Sequence, residues 1–389
     1  MSNVPLLKVL NTDGVKGALL LVALLFILII ANSPLYLHYQ HLIEFPIFSQ
    51  PLLFWVNDIL MVGFFLMLAL EIKREILVGE LRNPAQVVLP IAAACGGVIA
   101  PALIYFALVG HHDAQALRGW GIPVATDVAL ALGLLALLGK RVPTSLKIFL
   151  AVLAIADDLI AIIIIAAFYT AHLAVLYLGL AVISIIVLIA LNYFKISALK
   201  IYFLVGIVLW FALLKGGVHP TLAGVILGFC IPLTKPSTTP QYPIVSPLKH
   251  LEKILAPWVA FLILPIFVLA NAGIPMLHYQ AKDLLQPVAL GIVLGLFIGK
   301  QLGIMLVAFI LTKLKLAHLP THSTWWQFYG IAILAGLGFT MSLFISALAF
   351  DGTAFAEISR VGIILGSALS AIIGLLILYF SRSSFKASV

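Results

Sequence analysis

The amino-acid sequence predicts an all-α polytopic membrane protein of about twelve transmembrane helices. Two inverted-topology three-helix repeats are expected within it, each carrying one interrupted helix, spans four and eleven. Three observations lead there. The 389 residues are 63% hydrophobic and 9% charged, with a mean hydropathy of +1.22, whereas a soluble domain carries roughly 25% charged residues. Apolar runs such as Gly17 to Ala31, Val87 to Gly110 and Leu146 to Ala171 approach or exceed the ~20 residues a helix needs to cross ~30 Å of hydrocarbon. The basic residues, finally, segregate to alternate loops.

Cutting at polar, charged and Gly/Pro breaks gives spans near 12–32, 52–79, 86–110, 119–138, 144–170, 172–193, 199–214, 217–233, 254–275, 286–312, 326–350 and 358–381. Under that cut seventeen of the 22 Lys and Arg residues, among them Lys8, Lys73, Arg74, Lys140, Lys235 and Arg382, share the side of both termini. Arg118, Lys215, Lys282 and Arg360 fall on the other side, and Lys300 lies within a span. The positive-inside rule then places both termini in the cytoplasm. The formal charge of +8 is thereby a topology signal, spread over short loops with no single patch for nucleic acid.

The first apolar run ends Ala31-Asn32-Ser33-Pro34, without a small-residue cleavage pattern, so it is expected to be a first span and not a signal peptide. Cys95 and Cys230 sit in apolar segments, where a thiol behaves as a small hydrophobe, and no structural disulfide is expected. The chain is expected to be one integral membrane transporter domain over 1–389. Its core repeats lie at about 86–170 and 286–381, and the remaining helices serve as interface or panel.

Spans four and eleven are poor continuous helices. One begins Gly119-Trp120-Gly121-Ile122-Pro123-Val124-Ala125-Thr126-Asp127 and the other contains Ala335-Gly336-Leu337-Gly338-Phe339-Thr340. Gly and Pro cost ~1 and ~3 kcal/mol in a helix interior, and a membrane tolerates non-helical backbone only where protein or water satisfies it. Each is the middle helix of a three-span group and they enter from opposite sides, the arrangement of an inverted repeat with its binding site at the breaks. Ordinary packing of glycines between helices is the plainer alternative.

Four carboxylates lie well inside spans: Asp58, Asp127, Asp157 and Asp158; Lys300 is the cation at comparable depth. Each acid costs ~2.5–3.5 kcal/mol at a helix centre on insertion scales. A single one is readily a strut, but four acids against one base leave negative charge that only protons or bound cations neutralise. Adjacent helical residues point about 100° apart, so Asp157 and Asp158 are expected to do different jobs, one facing a partner such as Lys300 and one an ion path. Competition of protons and cations for the same carboxylates suffices for exchange. Asp127 admits two readings, compensation of half-helix dipoles or direct ion ligation. His219, and the cytoplasmic groups Glu71, Glu75, Lys249 and Glu252, are either a pH-responsive network or solvated polar groups.

Trp55-Val56-Asn57-Asp58, Leu70-Glu71-Ile72-Lys73-Arg74-Glu75, Pro123-Val124-Ala125-Thr126-Asp127, Ala156-Asp157-Asp158-Leu159, Lys215-Gly216-Gly217-Val218-His219 and Phe339-Thr340-Met341-Ser342 closely resemble the bacterial NhaA sodium/proton antiporters, over about residues 10–380. That family is itself a known example of inverted repeats, so the repeat reading and the resemblance are not independent. The resemblance implies a sodium or lithium site at Asp158 with Asp157, and Lys300 paired with Asp157. Thr126 and Asp127 would lie at the crossing of the broken helices, and Asp58 would be a supporting acid. Glu71, Glu75, His219, Lys249 and Glu252 would belong to a pH-response region. It further implies electrogenic exchange activated at alkaline pH, with roles in sodium and pH homeostasis, and a bacterial inner-membrane homodimer whose contact hairpin maps to His38–Gln50. No cofactor is implied beyond the transported ions.

Rival classes are weaker. A cation-coupled solute symporter would need extra polar groups in spans that are otherwise almost wholly aliphatic. An intramembrane aspartyl protease would carry Tyr-Asp and Gly-x-Gly-Asp contexts, and neither occurs. A channel would conduct without proton coupling. With no Gly-x-x-x-x-Gly-Lys phosphate loop, ATP hydrolysis is not expected, and the chain reads as a secondary transporter and not an enzyme.

Overall fold

The computed structural model describes residues 12–82, 84–110, 113–169, 174–233 and 246–381, without the side chains of 84–86, 140 and 281. The sequence-based sidedness of both chain ends and of Lys8, Lys235, Arg382 and Lys386 falls outside those residues. Among the described residues ten helices are long and apolar enough to cross a bilayer, and a bent pair makes eleven. The chain is a multi-pass α-helical membrane protein. The ten are Asp13–Ala31, Leu52–Val78, Val87–Val109, Thr144–Phe168, Val175–Tyr193, Leu199–Gly216, Pro247–His278, Pro287–Lys313, Trp325–Ala349 and Phe355–Phe380.

The eighth expected span differs. Over 217–233 only Leu222–Cys230, nine residues, is helical, about 14 Å at 1.5 Å per residue and half of what the hydrocarbon requires. The cause is local. Gly217 adopts φ 80 and ends the preceding helix in the left-handed conformation, Pro220 follows within a turn, and Pro232 lies just past the end.

The chain divides into two compact units, Met1–Gln40 with Asn83–Ala161 and Asn271–Val389, and His41–Arg82 with Ile162–Ala270. In the first, the helix Pro84–Val109 meets Pro287–Lys313 backbone to backbone. A Cβ on Gly303 would lie 2.0 Å from the Gly96 carbonyl oxygen, so only glycine permits the approach, as is common where lipid gives helices no hydrophobic drive to associate. Lys300 sits one turn before Gly303 in this contact. The five residues ahead of it, Gly295–Gly299, form a π-turn, a local widening that re-aims the helix from Lys300 onward.

Tyr39, on the short helix Tyr36–Ile43, is buried. Burial pushes its phenol up to about 12 from 10.0, against the opposing pull of Arg360. A raised folded-state value means that this contribution to stability is complete below about pH 10 and lost as pH rises toward 12. In Tyr39→Phe the fall in thermal unfolding temperature over that range is therefore expected to be shallower. The variant loses about 1 kcal/mol at neutral pH with the hydrogen bond between the Tyr39 hydroxyl and the Gly273 backbone.

In the second unit, Asp58 lies on another π-turn, Val56–Leu60, whose Asp58 carbonyl accepts from Trp210 Nε1 at 2.9 Å. The end of the short helix is held by side chains from two others. Lys73 Nζ donates to Phe229 O at 2.7 Å and Ile231 O at 2.6 Å, and Asn192 Nδ2 to Cys230 O at 2.6 Å. Within the stretch His38–Gln50 lies a two-residue ladder, Pro46–Ile47 antiparallel to Gln50–Pro51. Phe48 and Ser49 take φ 48 and 67 at its tip, the pair of left-handed residues a tight hairpin turn needs.

Candidate ion site

Both predicted interruptions are present. In the first broken span a 3-10 stretch, Arg118–Val124, gives way to extended backbone before the helix Val128–Leu137, with a bend of 41°. In the second, Trp325–Leu334 ends, four non-helical residues follow, and Phe339–Ala349 resumes. Their breaks lie against each other within the first unit. Asp127 N–H donates to Leu337 O at 2.6 Å, and a Cβ on Gly338 would lie 2.9 Å from Ala125 O.

A break at mid-membrane leaves carbonyls at one half-helix end and N–H groups at the next without partners. Asp127 answers the N–H side for both spans at once. Its Oδ1 accepts from Leu130 N at 2.9 Å, capping its own half-helix. Its Oδ2 accepts from Thr340 N at 3.0 Å and Thr340 Oγ1 at 2.6 Å, capping the other. Two positive helix ends thus share one carboxylate, and Ser367 Oγ takes the neighbouring Phe339 N–H at 3.2 Å. Of the two readings of Asp127, this geometry favours compensation, because both carboxylate oxygens are engaged by the half-helices.

On the carbonyl side the two spans exchange hydroxyls. Thr126 Oγ1 lies 2.7 Å from Ala335 O, and Ser342 Oγ donates to Ile122 O at 2.7 Å. Thr126 also contacts Asp157 Oδ2 at 2.7 Å, and the Lys300 ammonium reaches the same oxygen at 2.5 Å. Thr126, Asp157 and Lys300 are each 0% exposed, so the contact is shielded from solvent, where breaking a pair by removing one partner is costly. Asp157 Oδ1 is buried and takes no hydrogen bond from the described residues. Asp158, 2% exposed and next along the helix, is not part of the chain from Lys300 through Asp157 to Thr126. One helix therefore presents two buried acids in two settings, one engaged by a base and one turned some 100° away.

The remaining residues singled out in the sequence lie in the second unit. Asp58 Oδ1 is 3.5 Å from His219 Nε2, and His219 Nδ1 lies 2.6 Å from Thr221 Oγ1. Arg74 bridges Glu75 at 2.5 Å and Glu252 at 2.8 Å, with Glu71 also in its field. Lys249 is exposed and in none of these ion pairs. Sequence reasoning assigned no role to Thr340, Ser342 or Ser367. The available signal was three hydroxyl side chains in the midst of mostly apolar neighbours. Among the described residues no group of three or more His, Cys, Asp or Glu is placed to hold a metal ion.

A family model described as Na+/H+ antiporter 1 matches residues 7–378. Among curated relatives, a protein of Pseudomonas fluorescens named Na(+)/H(+) antiporter NhaA is 48% identical over 372 residues, covering 93% of each chain. One of Caulobacter vibrioides with the same name is 48% identical over 383 residues, 98% of this chain and 92% of the relative. Another, of Campylobacter concisus, reaches 51% over 342 residues, 88% and 82% of the two chains. With the broken-helix crossing and buried acids already in place, a match of this length and identity means that the chain belongs to the Na+/H+ antiporter 1 family of secondary transporters.

Proposed function

We propose that this protein exchanges sodium ions, and lithium, for protons across the bacterial inner membrane. The observation that carries this is a pair of neighbouring buried acids, Asp157 and Asp158, of which Asp157 meets Thr126 at the crossing of the two broken helices and pairs with the base Lys300. Hydrocarbon rejects uncompensated charge, so the acids hold either protons or a cation. Competition between the two at one site, opened alternately to either face, is exchange. Two carboxylates can release two protons for one monovalent cation, which supports electrogenic turnover. The same competition supports activation at alkaline pH, where fewer protons contest the site.

The reciprocal hydroxyl-to-carbonyl bonds, Thr126 to Ala335 and Ser342 to Ile122, support the reading of the two three-helix groups as inverted repeats. Glu71, Glu75, Lys249, Glu252 and His219 are assigned to pH response, Asp58 to support of His219, and both termini to the cytoplasm. A homodimer through the Pro46–Pro51 hairpin is part of the same reading.

The test is proton movement in everted vesicles or proteoliposomes, followed with a pH-sensitive dye across a pH series on adding sodium, lithium or choline. Sodium- and lithium-dependent signals that grow toward alkaline pH and respond to an imposed membrane potential are expected. A signal equal with choline, or sodium conductance without proton movement, would replace exchange by a channel. Silence at every pH would send the search to solute uptake.

A further inference from the structure

We infer that Ser342 is a positioning residue for the ion site, acting on Asp157 through Ile122 and Thr126; this rests on the exchange reading above. Ser342 is fully buried, and the side chains bonded to Asp157 are Thr126 and Lys300. The Ser342 hydroxyl donates to Ile122 O at 2.7 Å, four residues before Thr126, in the last turn of the 3-10 stretch Arg118–Val124 and just ahead of the extended residues 125–127. Extended backbone within a membrane has no internal hydrogen bonds to hold it, so its register is set by whatever it is tied to.

For residues 122–127 three of those ties come from the second broken span: Ser342 to Ile122, Thr126 to Ala335, and Asp127 N–H to Leu337 O. Thr126 is the only one of the three tied positions whose side chain also reaches Asp157, at 2.7 Å. Ser342 anchors the start of the segment, and without it the stretch pivots about the bonds at 126 and 127. The hydroxyl of Thr126 then no longer has a fixed aim. Gly338 is shaped to this contact, since a Cβ there would lie 2.2 Å from Ser342 Oγ and 2.9 Å from Ala125 O. Backbone of the first break and the serine of the second converge on that glycine.

A merely structural serine, filling space and satisfying one carbonyl, would lower the amount or thermal stability of the protein when changed and leave its response to sodium alone. A positioning serine changes the sodium dependence itself. The experiment therefore measures half-saturating sodium for exchange, its maximal rate, and the sodium concentration giving half-maximal thermal stabilisation of the purified protein. The native chain, Ser342→Ala, Thr126→Val and the double variant are compared.

In Ser342→Ala both half-saturating concentrations are expected to rise roughly five-fold, the factor one net hydrogen bond is worth, with maximal rate largely kept. Because Ser342 acts through Thr126, the double variant should be no weaker than Thr126→Val alone, a non-additivity that independent sites do not show. Unchanged sodium dependence in Ser342→Ala, or effects that simply add, overturns the inference while leaving exchange standing. A native chain without any sodium response overturns both. Should Ser342→Ala fail to accumulate, Ser342→Cys serves, its thiol being a weaker donor of similar size. An intermediate rise in half-saturating sodium is then expected, and native-like values refute the assignment.

Discussion

Asp158→Asn is expected to abolish sodium-driven proton movement while the protein still accumulates in the membrane at close to native levels. Asparagine keeps the shape and removes the charge. At an effective dielectric near 20, a carboxylate 4 Å from a monovalent cation contributes about 4 kcal/mol, so neutralising it costs on the order of a thousand-fold in cation affinity. The fold is expected to be spared because the hydrogen bonds described above at the crossing belong to other residues. Those run through Asp127, Thr126, Thr340, Ser342 and the Asp157–Lys300 pair. Dye-monitored exchange together with quantified membrane levels checks both halves. Full activity in the variant would move the cation site away from Asp158.

Asp127→Ala should behave in the opposite way, failing as a fold before it fails as a transporter. One carboxylate accepts three hydrogen bonds, from Leu130 N, Thr340 N and Thr340 Oγ1, and compensates two positive half-helix ends. Bonds to a charged group are worth about 1.5–3 kcal/mol each. Even with partial rescue by water, a loss on the order of 4 kcal/mol is expected, a large part of a typical margin of stability. The yield of folded protein in mild detergent and its unfolding temperature are the measurements. Asp127→Asn, which keeps oxygen acceptance on one side only, should fall between. A stable, abundant Asp127→Ala protein that merely binds sodium poorly would restore the ligand role.

The sequence made the spans legible because lipid demands long apolar runs, and it made both breaks legible because Gly and Pro cluster there. It failed at 217–233, where seventeen mostly apolar residues hold only nine of helix. Composition counts Gly217 and Pro220 as small apolar residues, while the backbone treats them as stops. The acids were conspicuous for their cost; helix geometry offered Lys300 as a partner for one of the tandem acids, and the resemblance named Asp157 as that one. Illegible altogether were the π-turns before Lys300 and around Asp58, since they depend on hydrogen-bond register and not on side-chain period. Asp58 and His219 were each singled out, but their meeting at 3.5 Å joins positions far apart in the chain, and no local signal encodes it.

The bonds that close the crossing join residues 209, 213 and 220 positions apart. A ribosome adding about 5–20 residues per second makes the second broken span roughly 10–40 s after the first. Throughout that interval residues 118–127 have emerged with Ile122 O and the Asp127 carboxylate still waiting for Ser342 and Thr340. The nascent first half is therefore an unfinished lodger in the bilayer. It must linger beside the insertion machinery, or stay wetted, until the C-terminal third arrives, and a chain truncated before residue 335 would present quality control with an intramembrane acid whose partner Thr340 was never synthesised.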